Sequence, residues 1–242
     1  MTGLHKRINS RLDKAIWEYH MLNDGDCILF AVSGGADSMA LVTLLHQRIH
    51  IYAKELRLHA LYVDLGFDGS QEERCKQMNN YLQSLKIQVT TLKTRIGPDA
   101  HRESNKMNPC FLCSRIRRKH IFKIAEELNC NKIVFGHHKD DLIQTLILNM
   151  IFGREISTMT PKLEVFKGKF TLLRPMALVD EPMIKHFIEQ QNIPVIEQNC
   201  PTDGNSERDY IKSIVYQLER KFRGARNNIF YSMKNVKTDY LL

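Results

Sequence analysis

The chain of 242 residues has no apolar run long enough to span a membrane, no internal repeat and no low-complexity tract. These absences set aside membrane-embedded, solenoid and disordered classes. Two nucleotide signatures are missing as well: the P-loop pattern G-x-x-x-x-G-K and the dinucleotide pattern G-x-G-x-x-G. No second C-x-x-C and no H-E-x-x-H is present, so neither a closed zinc finger nor a zinc protease is spelled out. The basic stretch 1–11 is not followed by an apolar segment, so neither a signal peptide nor a membrane anchor is expected. Reducing cytoplasm is the expected compartment, where close cysteine pairs more often bind metal or do redox work than form structural disulfides.

What is present is enough apolar residue, 43% of the chain, to bury a full core. Strand-like runs recur at 27–32, 58–63, 87–92 and 132–135, with helical stretches between them. This alternation predicts an α/β fold, a Rossmann-like, doubly wound parallel sheet with ligands at the carboxyl ends of its strands. A single domain over 1–242 is expected. Residues 1–22 would form an N-terminal helix, with Leu4, Ile8, Leu12 and Ile16 at spacing four, and about 203–242 a basic helical extension.

The first apolar run ends at Ser33-Gly34-Gly35-Ala36-Asp37-Ser38, and a helix-like pattern opens at Met39. A strand, a Gly-rich turn and a helix in that order offer unpaired N–H groups and a positive dipole end to phosphate oxygens. Gly34 and Gly35 permit close approach of an anion, Ser33 and Ser38 add hydroxyls, and the Asp37 carboxylate would hold Mg²⁺ or cap the helix. A second polar cluster, Gly136-His137-His138-Lys139-Asp140-Asp141, follows the fourth strand and starts the helix 142–152. It falls on the same sheet edge, where Asp140 or Asp141 is a Mg²⁺ ligand or simply an acidic helix start.

Of the six cysteines, Cys27, Cys75 and Cys130 read as packing residues. Cys110 and Cys113 form a C-x-x-C pair, and with Cys200 they fall in loop or loop-edge contexts flanked by Pro109 and Pro201. Three such thiols suit a zinc site, an iron–sulfur cluster with one iron lacking a protein ligand, or a redox dithiol. Charge is uneven around them. The segment 101–123 carries seven basic residues against Glu103, and 212–242 carries seven against Glu219 and Asp239. Subtracting these local charges of +6 and +5 from the total of +8 leaves the remainder at −3. Positive charge gathered beside the cysteine pair and in the tail fits a nucleic-acid footprint, with Phe222, Phe230 and Tyr231 as stacking candidates.

Four stretches together resemble the tRNA 2-thiocytidine synthetase family of PP-loop ATPases, from about Leu4 to at least Cys200. They are Asp24-Gly-Asp-Cys-Ile-Leu leading into the Ser33 loop, Cys110-Phe-Leu-Cys-Ser-Arg-Ile-Arg-Arg118, Gly136-His-His-Lys-Asp-Asp-Leu142 with Leu148-Asn-Met, and Arg174-Pro. S-G-G-x-D-S alone marks only the wider ATP-pyrophosphatase group, which includes lysidine and GMP synthetases. Its combination with C-x-x-C-S-R and G-H-H-x-D-D is far more specific. Ala36 departs from the pattern, since those enzymes commonly place Lys there, and the tail 203–242 matches the best-known members poorly.

The resemblance implies an adenine-nucleotide alpha-hydrolase sheet that uses ATP, Mg²⁺ and a 4Fe-4S cluster to replace the 2-oxygen of an anticodon-loop cytidine with sulfur. ATP would be bound by Ser33, Gly34, Gly35, Asp37, Ser38, Val63 and Gly136, and the cluster by Cys110, Cys113 and Cys200. Asp37, Asp141, Cys110 and Cys113 would be catalytic, and Arg115, Arg117, Arg118 and Lys119 would hold RNA. The implied partners are tRNA and a sulfur donor such as a cysteine desulfurase; the family is often dimeric, so a homodimer is also expected. A sulfurtransferase acting on another base or a small molecule, and a non-enzymatic tRNA- or metal-binding relative, are the alternatives.

Overall fold

β1 (Cys27–Val32) is apolar at every position and buried at every position, as a central strand covered on both faces must be. It pairs in parallel with β2 (Arg57–Asp64) on one side and β4 (Lys132–Val134) on the other. The structure is a computed structural model that describes residues 3–204 and 206–240. β3 (Gln88–Lys93) extends the sheet beyond β2, and β6 (Phe170–Leu173) lies beside β4. β5 (Lys162–Val165) adds an antiparallel edge, giving the order β3-β2-β1-β4-β6-β5. The doubly wound parallel expectation is borne out. The β5–β6 hairpin was not expected, because two four-residue strands give too little periodicity to register.

Successive residues of the strands feed two cores. Ile28, Phe30, Val32, Ala60 and Tyr62 pack with α1 (Gly3–Glu18), α2 (Ala36–Tyr52), α3 (Gln71–Ser84) and α7 (Glu181–Gln190). Cys27, Leu29, Ala31, Leu61 and Val63 face the short α4 (Ile96–Ala100) and the long α5 (Pro109–Glu127). A third, smaller core joins α6 (Lys139–Leu148) to the C-terminal α8 (Glu207–Lys221) and α9 (Ala225–Ser232). The helix expected over 142–152 instead begins at Lys139 and, past Leu148, widens into a π-helical turn over Asn149–Gly153. Among the described residues no helix is long and apolar enough to cross a membrane.

Strand order reverses between β1 and β4, so the loops that follow them face each other at the topological switch point, where such sheets bind ligands. The turn after β2 is held by an ion pair. Asp64, fully buried, accepts Arg74 Nε at 2.7 Å and Nη2 at 3.0 Å, and Gly66 N at 2.9 Å. Burial alone would raise the Asp64 pKa, but Arg74 and the Gly66 amide together hold it below the usual carboxylate value. Removing the guanidinium strands a buried charge, so Arg74→Ala is expected to lose about 3–5 kcal/mol in urea unfolding. A loss below about 1 kcal/mol, the range of exposed pairs, would contradict this role.

Candidate active site

The Ser33 loop is closed by its own hydroxyls. Ser38 Oγ accepts Ser33 N at 3.1 Å, sits 3.1 Å from Ser33 Oγ, and donates to Gly35 O at 2.9 Å. The helix begins at Ala36, three residues before the sequence pattern marks it, so the first-turn amides of α2 belong to the loop. Gly34 is required here: its φ is +89°, and a Cβ would lie 2.5 Å from Ile196 O. Gly136 is required for a different reason. A Cβ on it would meet the backbone of Asp37 and Ser38 at 2.9 Å, so the loop after β4 lies directly against the Ser33 loop.

Two tethers bring the downstream cysteine to the same edge. Ile196 N donates to Gly34 O at 3.0 Å, and the Gln198 amide donates to Ser33 O at 3.0 Å while accepting Leu65 N at 2.7 Å. The chain then turns at Cys200. Its sulfur is 3.3 Å from Thr202 Oγ1, which is also 3.4 Å from Cys110 Sγ. Gln198 and Thr202 carry no sequence signal, since their value lies in contacts with residues over ninety positions away.

Cys110 and Cys113 lie at a loop edge, already inside a helix. Asn108 caps α5 by accepting Phe111 N, and Pro109 opens it, so both thiols occupy the first turns of the helix. That position favours negative charge. Burial pushes the Cys113 thiol up, and the charge of Arg117, one helical turn further on, offsets this only in part. The three cysteines are free, with Cys110 exposed and Cys113 and Cys200 half-buried. Among the described residues they do not form a group with all donors within 4.8 Å of one another. As they stand they are more widely spaced than the ligands of a single tetrahedral ion.

A cavity of about 490 Å³ joins the two halves, lined by Ser33, Gly35, Leu65, Gln198, Cys200 and Arg117 among others. Arg117 therefore stands apart from Arg115, Arg118 and Lys119, which are exposed on the outside of α5. The spacing of four from Cys113 is the signal that would have separated it. Val63, the remaining expected ATP contact, is buried near the end of β2, with its carbonyl 3.4 Å from the Gln198 amide.

The motif after β4 divides by side. His138 is buried, with Nε2 3.6 Å from Asp37 Oδ1 and 3.5 Å from Asp141 Oδ2, so it links the two loops. Asp141 also accepts His138 N at 3.0 Å and pairs with Arg208 at 3.4 Å. Lys139 and Asp140 point the other way. Lys139 Nζ is 3.1 Å from Asp180, while Asp140 accepts Glu181 N at 2.8 Å and pairs with Arg226. Asp140 is thus occupied inside the fold, which leaves Asp141 as the carboxylate that faces the loop. His137 is half-buried, and desolvation pulls its pKa down to about 4.

The tail's charge is partly internal as well. Lys212 pairs with buried Glu181 at 2.6 Å, Arg226 with Asp140, and Lys234 with Glu18. Phe230 is buried in the third core and cannot stack on a base, whereas Phe222 and Tyr231 are exposed.

Residues 4–219 match the PP-loop domain family. The tRNA-cytidine(32) 2-sulfurtransferase of Nitrosospira multiformis is 33% identical over 245 residues, covering 99% of this chain and 80% of that protein. The tRNA-cytidine(32) 2-sulfurtransferase 2 of Francisella tularensis subsp. novicida is 32% identical, covering 100% and 95%. Both alignments run through the tail. Among solved structures, the U34-tRNA thiolase NcsA from Methanococcus maripaludis with its 4Fe-4S cluster has a TM-score of 0.77 at 20% identity, over 99% of this chain and 80% of that one. An NH3-dependent NAD synthetase from Campylobacter jejuni shares the fold at a TM-score of 0.51 and 12% identity, over 99% and 95%. The chain belongs to the tRNA-cytidine(32) 2-sulfurtransferase family of PP-loop proteins.

His138 provides a direct check on this geometry. Burial lowers its pKa, but the adjacent Asp37 carboxylate and the charges of Asp141 and Asp140 outweigh that effect and leave it above 6.5. A raised histidine pKa stabilises the fold fully below the unfolded value near 6.5, and that contribution disappears as pH rises through the native value. NMR titration should place the His138 midpoint above 6.5 in the wild type and lower in Asp37→Asn. A midpoint at or below 6.5 that ignores the substitution would contradict the arrangement.

Proposed function

We propose that this protein converts a cytidine of the tRNA anticodon loop to 2-thiocytidine at the expense of ATP. The observation that carries the reading is the shared cavity, whose lining includes Ser33 and Gly35 of the nucleotide loop together with Cys200 and Arg117. The loop amides and the Ser33 and Ser38 hydroxyls bind the triphosphate, and Asp37 and Asp141 are the residues placed to hold Mg²⁺ on it. The 2-oxygen of cytidine attacks the α-phosphorus; the bond to the β-phosphate oxygen breaks, and pyrophosphate departs into the loop. Sulfur at the sulfide level then adds to the base carbon and AMP leaves with the original oxygen, so the exchange needs no net oxidation.

Three free thiols on a helix start and a tethered turn, near a guanidinium, fit a 4Fe-4S cluster held by Cys110, Cys113 and Cys200. When bound, such a cluster supplies one iron without a protein ligand, where exogenous sulfur can be held. Its thiols must stay reduced, which is consistent with the cytoplasm and with a sulfur donor such as a cysteine desulfurase. Arg115, Arg118 and Lys119 form the exposed face of α5 beside the cysteine pair and contact the RNA backbone. No described group in this arrangement calls for a second copy of the chain, so the homodimer stays a separate expectation.

Charge reversal of Arg115, Arg118 and Lys119 to Glu is expected to weaken tRNA binding at least 10-fold. It should also reduce the slope of log affinity against log salt by about 2–3. In the same assay Asp37→Ala should bind tRNA normally yet lose at least about 100-fold in tRNA-dependent AMP formation. Unchanged tRNA affinity in the first variant would move the substrate away from nucleic acid. Full AMP formation in the second would remove Asp37 from the chemistry.

A further inference from the structure

On the opposite edge of the sheet, about 20 Å from the Ser33 loop by the rise of β1, three donors meet that no part of the reaction uses. Cys27 at the start of β1 and Cys130 at the start of the link into β4 place their sulfurs 2.7 Å apart. The sequence reads both as packing residues, because a separation of 103 positions hides the contact. His59 on β2 faces the same side, and its ring nitrogen and the two sulfurs all lie within 4.8 Å of one another.

We propose that Cys27, Cys130 and His59 form a second metal site, for a borderline-soft divalent cation of the zinc class. The donor set suits that ion: two thiolates balance its charge, and a neutral imidazole completes three ligands without adding any. A bare thiol pair would not need the imidazole. Binding releases two thiol protons to solvent and forms two metal–sulfur bonds and one metal–nitrogen bond, with no change in oxidation state. The ligands of a tetrahedral zinc stand about 3.5 Å apart, so the two sulfurs separate by about 1 Å on loading.

The backbone around the site is already fixed. Asn131 accepts Cys27 N on its side chain at 2.8 Å, donates its own N to Cys27 O at 3.1 Å, and binds Asp26 at 2.7 Å. Cys130 N is tied to Ala125 O at the end of α5, at 2.8 Å. Burial and the neighbouring Cys27 sulfur push the Cys130 thiol up, and Arg57, the register partner of Cys27, supplies the positive charge that opposes this. A cavity of about 390 Å³ reaches Cys130 from solvent between Asn129, Asn131 and Phe170, giving the ion an entry path and a water for its fourth position.

The test uses full-length protein, reduced and stripped by chelator, titrated with Co²⁺ beside the full-length variant in which Cys110, Cys113 and Cys200 are Ala. The triple variant should retain one Co²⁺ per chain, with thiolate charge-transfer and tetrahedral d–d absorption, displaced by Zn²⁺. Adding Cys130→Ser or His59→Gln should weaken that binding at least about 100-fold and about 10-fold respectively. Half-buried His59 can change without opening the core, so its variant reports even where Cys130→Ser fails to fold. In the wild-type background His59→Gln should leave iron and acid-labile sulfide unchanged, which separates this site from the one proposed for the cluster. A triple variant that retains no Co²⁺, retention indifferent to His59 and Cys130, or a Cys27–Cys130 disulfide persisting under reductant would each overturn the proposal.

Discussion

Everything on the functional edge depends on one tether, the pair of contacts by which the chain at 196–198 grips the Gly34 loop and the end of β2. Ile196 N to Gly34 O and the three hydrogen bonds of the Gln198 amide bind a segment remote in sequence to the carboxyl ends of β1 and β2. A side-chain amide fits because it donates and accepts at once, satisfying strand-end groups that have no ladder partner. Without the tether, Cys200 would sit on a free loop and the nucleotide loop would lose one wall of its cavity. The positive φ of Gly34 follows from the same constraint, since no side chain fits under Ile196.

The second organising feature is charge, divided between two sides of one short motif. His138 and Asp141 turn toward the Ser33 loop, while Lys139 and Asp140 reach back to Asp180, Glu181 and Arg226. The C-terminal helices are therefore anchored to the start of α6, the helix that carries Asp141. Glu181 shows how strong the anchoring field is: burial would raise its pKa, yet Lys212 and Lys185 hold it down at about 2. Buried pairs of this kind fix geometry more surely than they add stability. Arg208 completes the link by reaching Asp141 itself, so the tail that carries the basic residues also positions an acid of the site.

How much of this was legible in the sequence depended on how local the cause was. β1 announced itself because six apolar residues in a row between turn residues suit a strand buried on both faces. The loop after it followed from residue order alone, and the family resemblance joined it to the cysteines. The sequence leaves the first turns of α5 between loop and loop edge because Pro109 signals a break as readily as a helix start, and only the Asn108 cap decides between them. Counting aromatics without asking which helix face they occupy puts the buried Phe230 among the stacking candidates, and counting charge groups Arg117 with its more exposed neighbours. Gln198, Thr202 and the meeting of Cys27 with Cys130 are contacts across ninety or more residues, and no spacing rule encodes them.

The proposed reaction couples ATP cleavage to sulfur insertion at a cytidine along one sheet edge. The most direct measurement is nucleoside mass spectrometry of tRNA incubated without oxygen with the iron–sulfur-reconstituted protein, ATP, Mg²⁺ and sulfide. 2-Thiocytidine is expected in the digest, dependent on ATP and absent with Cys200→Ala. Thiolation of a different base, or none at all from protein that holds its full complement of iron and sulfide, would contradict it.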